Sequence, residues 1–245
     1  MTRLIAALFI ALIAAPHTQA AEFSAAEKTE MNAIIREYIL QNPEVLVEAM
    51  QVLEQRQNEQ VKTSDQQKIA TLKDAIFNDG FSHAIGNPDG DVTLIEFTDY
   101  RCPYCKRAHE SVSALLEADP NVRVVIKEFP ILGPESTYAS RAAMAALRQG
   151  GELYERYSDA MLEHKGDLDQ RAVMMLAERA GADMARLKTD MDLPEIAEQI
   201  RQTYALAREL EINGTPGFII GDEIVRGFVP YEALREKVEI ARRDG

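Results

Sequence analysis

The residues with chemistry to offer are Cys102 and Cys105, the only two cysteines in a chain of 245 residues. Pro103 and Tyr104 separate them. They fall where an apolar run over residues 92–97 gives way to a helical pattern over 106–116, so a strand delivers both sulfurs to the start of a helix. The first turn of a helix has N–H groups without intrahelical partners, and the macrodipole is positive there. A thiolate at Cys102 is stabilised by both effects, which lowers its pKa and makes it nucleophilic near neutral pH. Pro103 suits the first helical position because its missing N–H goes unused there. The N–H groups of Tyr104 and Cys105 are then free to face the Cys102 sulfur. Cys105, one turn on, can resolve a mixed disulfide by thiol–disulfide exchange.

Other uses of the pair fit less well. As a structural staple it closes a very small loop and constrains the unfolded chain little. As a zinc site, Cys102, Cys105 and His109 have ligand-like spacing, but a structural site takes four ligands and no second cysteine pair exists. No metal and no cofactor are expected. Glu96 is the next candidate: a carboxylate inside an apolar strand is costly without a task or a partner, and a buried acid beside the cysteines could handle protons. Lys127, in the strand pattern over residues 122–129, is either a charge partner for Glu96 or a solvated strand end.

The elements around the pair read as follows. Residues 1–20 carry Arg3, an apolar run over 4–15 and a small-residue cleavage site at Thr18-Gln19-Ala20, the pattern of a secretory signal peptide. The run is short against the roughly 30 Å hydrocarbon core of a membrane. This points to a periplasmic protein. Residues 21–84 are helical in pattern. Ile34, Ile35, Tyr38 and Ile39 form one apolar stripe and Leu46, Met50 and Leu53 another, while residues 55–67 hold only Val61 as an apolar residue. This extension either docks on the main domain or serves as a self-association arm. A turn at Gly86-Asn87-Pro88-Asp89-Gly90 opens the main domain, residues 85–245. Helices are expected over 136–149, 152–164, 169–180, 184–191 and 194–210. A hairpin follows, with strands at 218–220 and 223–225, then a final helix over 231–243. Pro216, at the start of the hairpin, is a candidate cis proline, although trans is the commoner state. The formal charge of −13 argues against nucleic-acid binding, which needs Lys and Arg against phosphate.

This order of elements, with Glu-Phe-Thr-Asp-Tyr-Arg-Cys-Pro-Tyr-Cys from Glu96 to Cys105 and Gly-Thr-Pro-Gly-Phe from Gly214 to Phe218, resembles the thioredoxin superfamily, and the DsbA family in particular. The resemblance implies an α/β, thioredoxin-like fold with a helical domain inserted at about 134–211. It implies that Cys102 is the nucleophile, Cys105 the resolving thiol, Glu96 the buried acid and Lys127 its paired lysine. Pro216 matches the cis-proline facing the cysteines. Thr215 before it offers backbone to an extended substrate, in the manner of strand addition. Pro103 and Tyr104 border the same substrate surface. Strongly oxidising members have a His before the second Cys where this chain has Tyr104, which suggests a milder oxidant. The helical extension is similar to that of ScsC-type proteins.

The expected function is thiol–disulfide exchange in exported proteins, as oxidase or isomerase. Its partners are exported proteins with cysteines, a membrane redox partner that resets the pair, and, through the arm, further copies of the chain. An envelope chaperone or binding module, or a metal-handling protein using the two thiolates, are the alternatives from other classes.

Overall fold

The computed structural model describes residues 23–244; the signal-peptide reading of residues 1–20 lies outside them. The chain divides into two compact units after Gln57. The first holds helix α1 (Ala25–Gln41) and the opening of helix α2 (Glu44–Thr71). Ser24 caps α1 by accepting from the Glu27 N–H while the Glu27 carboxylate accepts from the Ser24 N–H, a reciprocal pair that satisfies two terminal donors. No residue of α1 is buried. Ile34, Ile35, Tyr38, Leu46, Met50 and Leu53 are all exposed among the described residues.

The second unit contains the sheet. Its strands are β1 (His83–Gly86), β2 (Val92–Thr98), β3 (Val122–Glu128), β4 (Gly217–Ile220) and β5 (Glu223–Arg226), in the order β1-β3-β2-β4-β5. β2 and β3 are parallel, and the other pairs are antiparallel. The parallel pair is joined by helix α4 (Pro103–Ala118), the crossover that parallel strands require. Between β3 and β4 come α5 (Pro134–Leu147), α6 (Gly151–Glu163), α7 (Gln170–Ala180), α8 (Met184–Met191) and α9 (Pro194–Glu209). Helix α10 (Tyr231–Asp244) ends the described chain. This is the thioredoxin-like fold with a helical insertion that the sequence leads one to expect.

Alternation along the strands gives the sheet two apolar faces. Leu94, Val124 and Phe218 pack with Ala108, Val112 and Leu115 of α4 and with the inserted helices. Ile95, Phe97, Val125 and Ile219 pack with Ile69 of α2, Ile76 of α3 (Lys73–Phe77) and Leu206 and Leu210 near the end of α9. The division after Gln57 therefore falls well before the turn that the sequence suggests as a boundary. From Asp65 onward, α2 buries residues in the second unit.

Candidate active site

Strand β2 ends at Thr98, and a tight turn carries the chain into α4. Asp99 organises that turn. Its carboxylate, fully buried, accepts from the Arg101 N–H at 2.8 Å, the Leu132 N–H at 3.0 Å and the Ser136 hydroxyl at 2.8 Å. Its carbonyl accepts from the Cys102 N–H at 3.0 Å. The turn is thus braced against the entry to α5, and Cys102 is held at the N-cap with extended backbone (φ −75°, ψ 119°) and Pro103 behind it. Sequence reasoning assigned Asp99 no task. The signal was an acidic residue at a strand end just before the cysteine pair.

Cys102 and Cys105 are both buried and both free thiols. The Cys102 pKa falls to about 5: the Cys105 thiol donates to its sulfur, the Thr215 side chain assists, and the N–H groups of Cys105 and Tyr104 point at it, together outweighing burial. The two N–H donors are those that the helix start was expected to supply, but the Cys105 thiol contributes most, and the depression is reached without a histidine between the cysteines. Cys105 moves the opposite way, far above the usual thiol range, because its proton is shared with the Cys102 sulfur and because it is buried. One sulfur is thus poised as an anion while the other keeps its proton.

In its protonated form Cys102 donates to the Thr215 carbonyl at 3.2 Å. The bond from Thr215 to Pro216 is cis. Thr215 Oγ1 is buried and has no hydrogen-bond partner; a thiolate at Cys102 is a partner it could take. Tyr104 is exposed beside the pair, and Arg107, one turn on, lies 4.3 Å from the centroid of the Phe228 ring and 5.7 Å from that of Tyr104.

Glu96 is buried, and burial raises its pKa to about 8, with Thr98 opposing weakly. Its Oε1 and Thr98 Oγ1 have no partners. Both residues line a cavity of about 260 Å³ that His109, Tyr154 and Asp159 also border. Glu96 bears electrostatically on Cys105, whose ionisation it opposes. A neutral carboxyl there can lose its proton near physiological pH.

Lys127 corrects one expectation. It is fully buried and lies on the other face of the sheet, because it registers with Phe97 while Glu96 registers with Ile126. Its ammonium donates to Asp79 at 2.6 Å and to the Ala75 carbonyl at 3.0 Å. It is neither the partner of Glu96 nor a solvated strand end.

A second buried acid escaped the sequence reading. Glu128 accepts from the Tyr100 hydroxyl at 2.6 Å and the Tyr154 hydroxyl at 2.8 Å, and burial raises its pKa to about 7. A carboxylate within the apolar run of β3 was the available signal, the same one that singled out Glu96. Among the described residues, no group of three or more His, Cys, Asp or Glu side chains could hold a metal ion, and no helix is long and apolar enough to cross a membrane.

With that geometry in place, comparison with known proteins is specific. Residues 93–239 match the DSBA-like thioredoxin domain, and residues 27–60 match the N-terminal domain of copper resistance protein ScsC. A thioredoxin-like oxidoreductase from Silicibacter pomeroyi DSS-3 is 45% identical, with a TM-score of 0.67 over 69% of this chain and 97% of its own. A linker-deletion mutant of Proteus mirabilis ScsC is 28% identical, with a TM-score of 0.69 over 93% of this chain and all of its own. A Na(+)/H(+) antiporter NhaA 3 from Salinispora tropica is 31% identical over 64% of this chain, and the chain spans about a quarter (24%) of its length. The chain belongs to the DsbA-like thioredoxin domain family.

Proposed function

From that membership, we propose that the protein is a thiol–disulfide oxidoreductase that acts on cysteines of exported proteins in the periplasm. The observation that carries the reading is the Cys102 sulfur: it sits at a helix start with a pKa near 5, against the Thr215 carbonyl. The leader-like pattern over residues 1–20 supports the compartment.

In the oxidising direction a substrate thiolate attacks Cys102 of the Cys102–Cys105 disulfide. The S–S bond breaks, Cys105 leaves with the electron pair and takes a proton, which Glu96 would supply. A second substrate thiolate then attacks the substrate sulfur of the mixed disulfide and expels Cys102 as a thiolate. The substrate loses two electrons and the protein gains them. A depressed Cys102 pKa favours this direction because it stabilises the reduced form. In isomerisation the Cys102 thiolate attacks a substrate disulfide and forms a mixed disulfide; the substrate thiolate so released attacks another substrate disulfide, and the thiolate freed there attacks the mixed disulfide and expels Cys102 as a thiolate, with no net change of redox state. A membrane redox partner would reset the pair to the state each cycle needs. Thr215 and Pro216, bordered by Pro103 and Tyr104, would hold the substrate backbone.

The uncovered apolar residues of α1 and early α2 support a self-association arm. An assembly that surrounds a misfolded chain favours isomerisation. The test is reactivation of a scrambled-disulfide protein by the full chain and by the Ile34→Glu, Leu46→Glu variant. Reactivation by the first and not the second supports an isomerase that works through its arm. Failure of both, with oxidation of reduced peptides intact, leaves the oxidase.

A further inference from the structure

The loop that meets Cys102 is tied at both ends to one residue outside the cysteine motif. Leu210 caps the C-terminus of helix α9, and Glu211 follows with φ +56°, the only non-glycine residue with positive φ among those described. Carbonyls at a helix C-terminus lack intrahelical partners and favour a cation. Arg226 supplies one. Its Nη2 donates to the Leu210 carbonyl at 3.0 Å and its Nε to the Glu211 carbonyl at 3.1 Å. The other end of the loop is held by backbone: Arg226 registers with Gly217, and the Gly227 N–H donates to the Pro216 carbonyl at 3.0 Å. Between the two ends, Ile212 lies so close over Gly217 that a Cβ there would meet its Cγ2 at 2.7 Å.

Arg226 is itself fixed by α2. Asp65, 5% exposed, takes both Nη groups, at 2.9 and 3.0 Å. This is the planar two-point pairing that a guanidinium makes and an ammonium cannot. Lys68 adds an ion pair to Glu211 at 2.8 Å.

We propose that Arg226 is a positioning residue that sets the Thr215 carbonyl against Cys102, and that Asp65 of α2 holds Arg226 in that task. The proposal rests on the reading of Cys102 as nucleophile and Thr215 as substrate backbone partner. With the clamp removed, the loop over 211–216 keeps its fold but loses one anchored end. The Thr215 backbone then drifts from the sulfur, and small displacements at a reacting centre are costly.

The test compares Arg226→Met, Arg226→Lys, Asp65→Asn and Lys237→Met in the full chain. Lys237→Met removes only an ion pair to Glu223 on the same hairpin, at 2.6 Å. Two quantities are read: kcat and KM for a cysteine-containing peptide, and the pH midpoint of thiolate absorbance. Arg226→Met should raise KM about tenfold with a smaller change in kcat, and move the thiolate midpoint upward, because the Thr215 side chain, which favours the thiolate, is carried away with its backbone. Arg226→Lys should not rescue it, Asp65→Asn should move both quantities the same way by less, and Lys237→Met should match the wild type. A folded Arg226→Met with wild-type KM and midpoint overturns the proposal, as does an equal change in Lys237→Met. Should Arg226→Met fail to fold, Asp65→Asn decides alone, because it leaves the arginine and its two carbonyl partners in place. Turnover surviving in Cys102→Ser would sink the nucleophile reading instead, and the thiolate midpoint of the Arg226 variants would still decide the positioning.

Discussion

The Cys102 sulfur and the Thr215 carbonyl oxygen lie 3.2 Å apart although 113 positions separate the two residues. Two independent pieces of local structure produce that contact. One is a strand-to-helix turn braced by Asp99; the other is a hairpin entrance braced by Arg226. Neither piece makes a site alone. Together they leave a sulfur that is stable as an anion next to backbone that an extended chain can pair with.

The low pKa of Cys102 has a consequence for stability. The folded value, about 5, is below that of an unfolded thiol, about 9. The unfolded state therefore binds more protons in this window, and the reduced protein gains stability as pH rises through it. The gain is fully present above the unfolded pKa and is lost as pH falls through about 5. Melting temperatures of the reduced protein and of Cys102→Ser, taken from pH 4 to 9, should diverge as pH rises. Parallel curves would contradict the depressed pKa.

Glu96 behaves with the opposite sign. Its folded pKa, about 8, lies above the ordinary 4.5, so the folded state holds a proton that the unfolded state releases. Its burial costs nothing extra at pH 4 and destabilises increasingly up to about pH 8. Glu96→Gln should therefore gain on wild type between pH 4 and pH 8, by about 2–5 kcal/mol, at about 1.4 kcal/mol for each pH unit between the two pKa values. At pH 4 the difference should vanish. Urea unfolding at the two pH values checks this, and an equal difference at both would show that Glu96 does not titrate in the window.

Lys127 should prove structural. It is fully buried, and its ion pair with Asp79 is largely dry. Removing one member of such a pair leaves an uncompensated charge and costs about 3–5 kcal/mol. Lys127→Met should lose that much in urea unfolding, and Asp79→Asn in the same chain should restore part of it. The Cys102 thiolate titration should not move. A displaced titration with unchanged stability would return Lys127 to the active site.

The contrast between Glu96 and Lys127 shows what a sequence can convey. The strand-to-helix junction at Cys102, the helices over 134–209 and the hairpin after Pro216 are written in local patterns of period and punctuation, and they were legible. Which face a charged strand residue occupies depends on register with a strand far away, so Lys127 was placed beside an acid that lies across the sheet. β1 has four residues and no clear alternation; its identity as a strand comes from pairing with β3. Helix α2 runs without a break past Gln57, so nothing local marks where the second unit begins. Arg226 and Asp65 look like ordinary surface charges until the fold brings them together.

The central claim is that Cys102 exchanges disulfides with a substrate and Cys105 resolves the product. The most direct measurement is mass spectrometry of Cys105→Ser after reaction with a disulfide-bearing peptide. The account predicts a stable one-to-one adduct through Cys102, absent when Cys102 is replaced by Ser and Cys105 kept. No adduct on Cys102, or one that forms equally well on Cys105, would contradict it.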